Sequence, residues 1–141
     1  RLQQLGGSIT ATSLPVVHGI RFQLAQLFTN LISNAIKFAR PGIPPHIAIS
    51  ASTVKGSEIS HNSAEPSNTY HHIQVADNGI GFDPEFSERI FMVFQRLNTN
   101  DAEGTGIGLA ICKRIAENHN GIITATSDGS TGAVFSIYMP A

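Results

Sequence analysis

The chain has 141 residues, 41% of them hydrophobic, which fits one domain with a real apolar core and excludes a disordered or fibrous polymer. Nine basic and ten acidic residues leave a formal charge of −1, so no stripe for nucleic acid or an anionic membrane surface is expected. The single cysteine, Cys112, excludes an intrachain disulfide and, lying in a helical apolar pattern, reads as a small core residue in a reducing compartment.

No apolar run approaches the roughly 20 residues that span a bilayer. The start, Arg1-Leu2-Gln3-Gln4, holds no signal-peptide core, and its abruptness suggests a piece of a longer protein. Ser8 to Ala11 and Pro15 to Val17 read as short extended pieces interrupted by Pro15. A helix is predicted from Arg21 to Phe38, where Leu24, Leu27, Phe28, Leu31, Ile32, Ala35 and Ile36 recur at three-and-four spacing. Pro41, Gly42, Pro44 and Pro45 stop it. His46 to Thr53 alternates as a strand does. Lys55 to Thr69, rich in Ser and Asn, reads as a loop. A second strand, His71 to Ala76, delivers Asp77 at its end. Ser87 to Leu97 suits one or two short helical turns, and Asn98 to Gly104 is a polar loop. A second long helix is expected from Gly106 to His119, stopped by Asn120-Gly121. Gly121 to Ser127 and Ala133 to Met139 form a hairpin about a glycine-bearing turn. This order predicts two layers, helices on one face of a mostly antiparallel sheet.

Four local patterns carry chemistry. Asn30, Asn34 and Lys37 lie on one helix, and at about 100° per residue their side chains point within roughly 60° of one another. An amide oxygen is a hard ligand suited to Mg²⁺, and an ammonium is a point charge for a phosphate. Asp77-Asn78-Gly79-Ile80-Gly81 follows a strand directly. Its glycines let a ligand approach the main chain, and the Asp77 carboxylate can accept from an exocyclic amine such as adenine N6 but cannot donate. Phe91-Met92-Val93-Phe94-Gln95-Arg96 places Phe91 and Phe94 three apart as anchors, with Arg96 at the edge of the polar loop. Gly104-Thr105-Gly106-Ile107-Gly108-Leu109 opens the second helix, whose unpaired N–H groups and positive dipole end suit phosphates. The glycine spacing fits neither a dinucleotide-binding fingerprint nor a Walker A loop.

In this order the four patterns resemble the N, G1, F and G2 boxes of sensor histidine kinases, within the GHKL superfamily. The resemblance covers Ile9 to Pro140 and identifies residues 1–141 as a single ATP-binding catalytic domain, without its dimerisation and phosphoacceptor domain. It implies the Bergerat fold: an α+β two-layer sandwich whose mixed, mainly antiparallel sheet of about five strands packs under three helices. By the same resemblance ATP and Mg²⁺ are bound, with Asn34 on the metal and Asp77 on the purine. Lys37 and Arg96 meet the phosphates, and Gly79, Gly81, Phe94, Gly104, Thr105, Gly106, Ile107, Gly108 and Leu109 complete the nucleotide site. A lid is expected over roughly Arg89 to Gly106, and its glycine and polar content suggests mobility. Asn30 stands where hydrolytic relatives carry a water-activating Glu, and an amide cannot act as a general base. Catalysis then rests on Asn30, Lys37 and Arg96 aligning ATP for a histidine nucleophile.

The implied partners are the histidine-bearing dimerisation domain of a homodimeric parent kinase and a response regulator. The implied location is the cytoplasm, whether or not the parent is anchored in a membrane. None of His18, His46, His61, His71, His72 or His119 lies in the phosphoacceptor pattern, so the chain alone is expected to bind ATP without autophosphorylating. Where the family usually opens its first helix with a capping Asp, Ile20 stands instead, at an expected cost of about 1 kcal/mol.

Overall fold

The computed structural model describes residues 6–12, 19–59, 61, 63–91, 108–129 and 131–141. Strand β1 (Ser8–Ala11) precedes helix α1 (Arg21–Lys37), strands β2 (His46–Lys55) and β3 (Thr69–Asp77), helix α2 (Gly108–Asn118) and the hairpin β4 (Ile122–Ser127) and β5 (Ala133–Pro140). They form one five-stranded sheet in the order β1-β2-β3-β5-β4. Only the β1–β2 pairing is parallel among these. The expected mixed, mainly antiparallel α+β sheet is therefore present.

Its helical layer is thinner than expected: among the described residues there are two α-helices, not three. In the stretch before α2, 3-10 turns occupy Pro84–Phe86 and Arg89–Phe91. Asp83 caps the first by accepting from the Glu85 N–H at 3.1 Å, and Pro84 fixes its first φ. Three residues each are too few to propagate an α-helix. The extended piece expected at Pro15 to Val17, and all of the expected lid beyond Phe91, lie outside the described residues.

Alternation places the odd-numbered residues of β2, β3, β4 and β5 on the face under the helices. Ile49, Val75, Phe135 and Ala125 are register partners in one row, and Ala51, Ile73, Ile137 and Ile123 in the next. From α1, Leu27, Leu31 and Ala35 are buried against these rows, with Leu24, Phe28, Ile32 and Ile36 flanking them. This is the stripe read from the spacing. Cys112, Ile115 and Ala116 bury the matching face of α2. Phe91 meets Phe135 edge-on at 6.3 Å between centroids, closing the core at the 3-10 turn. On the opposite sheet face His72 stacks on its cross-strand partner Tyr138 at 4.3 Å.

The stop of α2 is a Schellman motif, with Gly121 N–H on Ala116 O at 2.8 Å and Asn120 N–H on Glu117 O at 3.0 Å. Asn120, not Gly121, takes the left-handed conformation, at φ 57°.

Candidate functional site

The apolar rows end one register step towards the β4–β5 turn. Ile47 pairs with Asp77 there, and Ala133 with Ser127, so a carboxylate and a hydroxyl replace core side chains on the face that carries the helices. The same alternation that buries Ile73 and Val75 aims Asp77 inward.

Asp77 is half-buried. Its Oδ1 accepts the Gly79 N–H at 2.9 Å and the Ala133 N–H at 3.3 Å, so neither bond engages Oδ2. Burial raises the carboxyl above its ordinary range, and the two backbone hydrogen bonds pull it partly back. Beside it lies an open depression of about 340 Å³, lined by Asp77, Thr126, Ser127, Asp128, Thr131 and Gly132 with Ala133 and Val134. A fixed, partly desolvated acceptor at a cleft is suited to reading an N–H donor on a planar ligand.

Ser127 was not singled out in the sequence, yet it joins the two loops around this cleft. Its Oγ accepts the Phe82 N–H at 3.0 Å and the Gly129 N–H at 3.1 Å, and donates to Gly132 O at 2.6 Å. The only signal for it was a serine at a strand end before Asp128-Gly129, a common turn initiator. Gly81, at φ +69°, passes so close that a Cβ would stand 2.5 Å from Ser127 Oγ. Gly132, at φ +114°, brings its Cα against the end of β3, where a Cβ would be 2.0 Å from Asp77 O.

The glycine turn after Asp77 is fastened to the C-terminal end of α1. Ile80 N–H donates to Phe38 O at 2.9 Å, and Arg40 Nε donates to Asn78 O at 2.9 Å. Asn78 itself accepts the His46 N–H and donates to Pro44 O. The end of α1 that carries Asn34 and the exposed Lys37 is thus held against the turn bearing Asp77. Lys37 Nζ lies 5.4 Å from the Phe38 ring centroid.

At its other contact α1 meets α2. Asn30 Nδ2 approaches Gly108 O at 3.5 Å, and the Cys112 thiol donates to Leu27 O at 3.6 Å. Burial pushes that thiol up to about 12, against the opposing pull of the Asn30 side chain, which makes it unreactive. Gly108 begins α2, with no atom of the described residues within 4 Å of where a Cβ would stand, and Leu109 is half-buried against the core. The structure thus brings Asn30 to the helix that the glycine-rich segment opens. Phe94, Arg96, Gly104, Thr105, Gly106 and Ile107 lie outside the described residues.

Residues 19–141 match the model of the family described as histidine kinase-, DNA gyrase B-, and HSP90-like ATPase. The chain belongs to that family. It is 45% identical over 141 residues to cyanobacterial phytochrome A of Nostoc sp., covering 99% of this chain and 17% of that protein. It is 31% identical over 132 residues to the aerobic respiration control sensor protein ArcB of Escherichia coli, covering 89% of this chain and 15% of ArcB. The crystal structure of full-length ShkA in complex with AMPPNP superposes with a TM-score of 0.74 at 27% identity, over 99% of this chain and 26% of that one. The chain is thus a histidine kinase-type ATPase domain that spans under a fifth of the length of phytochrome A and of ArcB. No helix among the described residues is long and apolar enough to cross a membrane.

Proposed function

We propose that this domain binds Mg-ATP, its purine amine on Asp77, and transfers the γ-phosphoryl group to a histidine on a separate dimerisation domain of its parent kinase. The observation that carries the reading is the Asp77 carboxylate, oriented by two backbone N–H groups at the rim of an open cleft. The AMPPNP bound by ShkA supports the nucleotide class.

The donors on α1 fit magnesium: Asn30 and Asn34 supply neutral amide oxygens one helical turn apart, and the Cys112 thiol beside Asn30 is held protonated by burial and so is no soft ligand. Asn34 would hold the ion, which when bound neutralises phosphate charge. Lys37 and Arg96 would add positive charge at the phosphates, and the segment from Gly104 to Leu109 would present N–H groups to them. Phe94 would pack at the same side. Asn30, an amide and not a carboxylate, aligns without abstracting a proton, so the domain hydrolyses ATP slowly by itself. The partners that follow are the histidine-bearing domain, contributed within a homodimer, and a response regulator that accepts the phosphoryl group, with no role for nucleic acid or direct membrane contact. This reading places the domain in the cytoplasm.

The test mixes the chain with the dimerisation domain of its parent, Mg²⁺ and ATP labelled at the γ-position. Label on the acceptor histidine, and none on the chain alone, is the expected result. Tight ATP binding with no transfer at millimolar Mg-ATP identifies a nucleotide-binding or docking module without turnover. Transfer to serine identifies a serine-directed relative.

A further inference from the structure

Ile20 begins α1 with no side-chain cap, yet its own N–H is not left to solvent. It donates to His119 Nε2 at 2.9 Å, across 99 residues of sequence. A backbone N–H only donates, so Nε2 must be the unprotonated nitrogen. The proton then sits on Nδ1, which lies 2.8 Å from Ile115 O and donates to it. The ring is fixed from both sides as one neutral tautomer.

Two neighbouring residues show that the fit is built. A Cβ on Gly19 would stand 2.6 Å from His119 Cδ2 and 2.7 Å from Nε2, so only glycine lets the imidazole approach. Gln23 is the third residue of α1, where a capping-box side chain would reach back to the Ile20 N–H. Its Oε1 is buried and has no hydrogen-bond partner among the described residues. His119 has taken the role that a local cap would perform, and in doing so ties α1 to α2.

This tie is one rung of a ladder between antiparallel helices. Ile20 meets His119, Leu27 O meets Cys112 Sγ, and Asn30 Nδ2 meets Gly108 O. The last rung sets Asn30 against the start of α2, where the proposed phosphate contacts lie. We propose that His119 is a positioning residue for the nucleotide site. Its Nδ1–H tautomer pins the start of α1 to the end of α2 and so holds the spacing between Asn30 and Gly108. The role rests on the proposed function but is distinct from any contact with ATP.

The experiment uses the 141-residue chain and three variants, His119→Ala, His119→Gln and Gly19→Ala. Nitrogen-15 NMR of the wild-type ring reads the tautomer, and calorimetric titration with Mg-AMPPNP reads the site. His119→Ala is expected to weaken Mg-AMPPNP about 5-fold, the scale of one net hydrogen bond. Gly19→Ala should match it, and His119→Gln, whose amide both accepts and donates, should stay within about 2-fold of wild type. A proton on Nε2 overturns the proposal, as does wild-type affinity in a folded His119→Ala chain. If His119→Ala does not fold, the tautomer and the His119→Gln affinity still decide. A wild-type chain that takes up no nucleotide refutes the functional reading instead, a result separate from a wild type that binds and a His119 series that binds equally.

Discussion

Asp77 and Ser127 stand at strand ends, locked by backbone hydrogen bonds from the loops around them. Asn30, Asn34 and Lys37 instead project from one side of a helix, where the amide of Asn30 reaches Gly108 O only at 3.5 Å. The first wall is set before a ligand arrives, as suits reading the edge of a planar base. On the proposed function, the second would offer amides and an ammonium to the hydrated phosphates and their metal. In that reading rigid geometry serves recognition, and polar side chains on the helix serve charge.

Breaking the rigid wall should have the largest effect. Gly132→Ala places a Cβ into Asp77 O at a backbone angle that L-residues rarely adopt. A loss of about 3 kcal/mol or more in urea unfolding is expected, with ATP affinity lost alongside it. Asp77→Asn comes next. It keeps an acceptor for the Gly79 and Ala133 N–H groups but removes the charge, so ATP binding should fall about 10- to 100-fold, the worth of a charge-assisted hydrogen bond. Because burial raises the Asp77 carboxyl above 3.8, the folded chain holds more protons than the unfolded one between that value and its native one. Stability from this group therefore falls as pH rises through that window. The variant should accordingly be as stable as wild type, or more so, at pH 7, and the difference should shrink on acidification. ATP affinity of the wild type should show the opposite trend, weakening as the carboxylate protonates.

A smaller effect is expected at Ser127. Ser127→Ala leaves the Phe82 and Gly129 N–H groups without their acceptor, and about 1–2 kcal/mol of unfolding free energy should be lost. On the adaptable wall, Asn34→Ala should change stability by no more than about 0.5 kcal/mol while lowering the Mg²⁺-dependence of ATP binding. If instead Asn34→Ala unfolds the chain and Asp77→Asn spares ATP affinity, the contrast between the walls is reversed.

The rigid wall was also harder to see in the sequence. Periodicity gave α1 and its buried stripe because Leu27, Leu31 and Ala35 answer to local helical geometry. Alternation gave β3 and the placement of Asp77 at its end. A turn-initiating serine before Asp128-Gly129 was the only local signal for Ser127; its long-range bond from the Phe82 N–H forms only when the chain after β3 reaches the end of β4. The same holds for His119 and Ile20, where the sequence shows a missing cap and only the packing of α1 on α2 supplies a substitute. The third helix was implied by the family resemblance and not by any local pattern; the residues read only as short helical turns after Ser87, and among the described residues the stretch holds 3-10 turns at Pro84–Phe86 and Arg89–Phe91.

The most direct test is a crystal structure of the chain with AMPPNP and Mg²⁺. The account expects the adenine amine within hydrogen-bond reach of the Asp77 carboxylate and the triphosphate running towards Asn34 and Gly108. A purine bound away from Asp77 would contradict it.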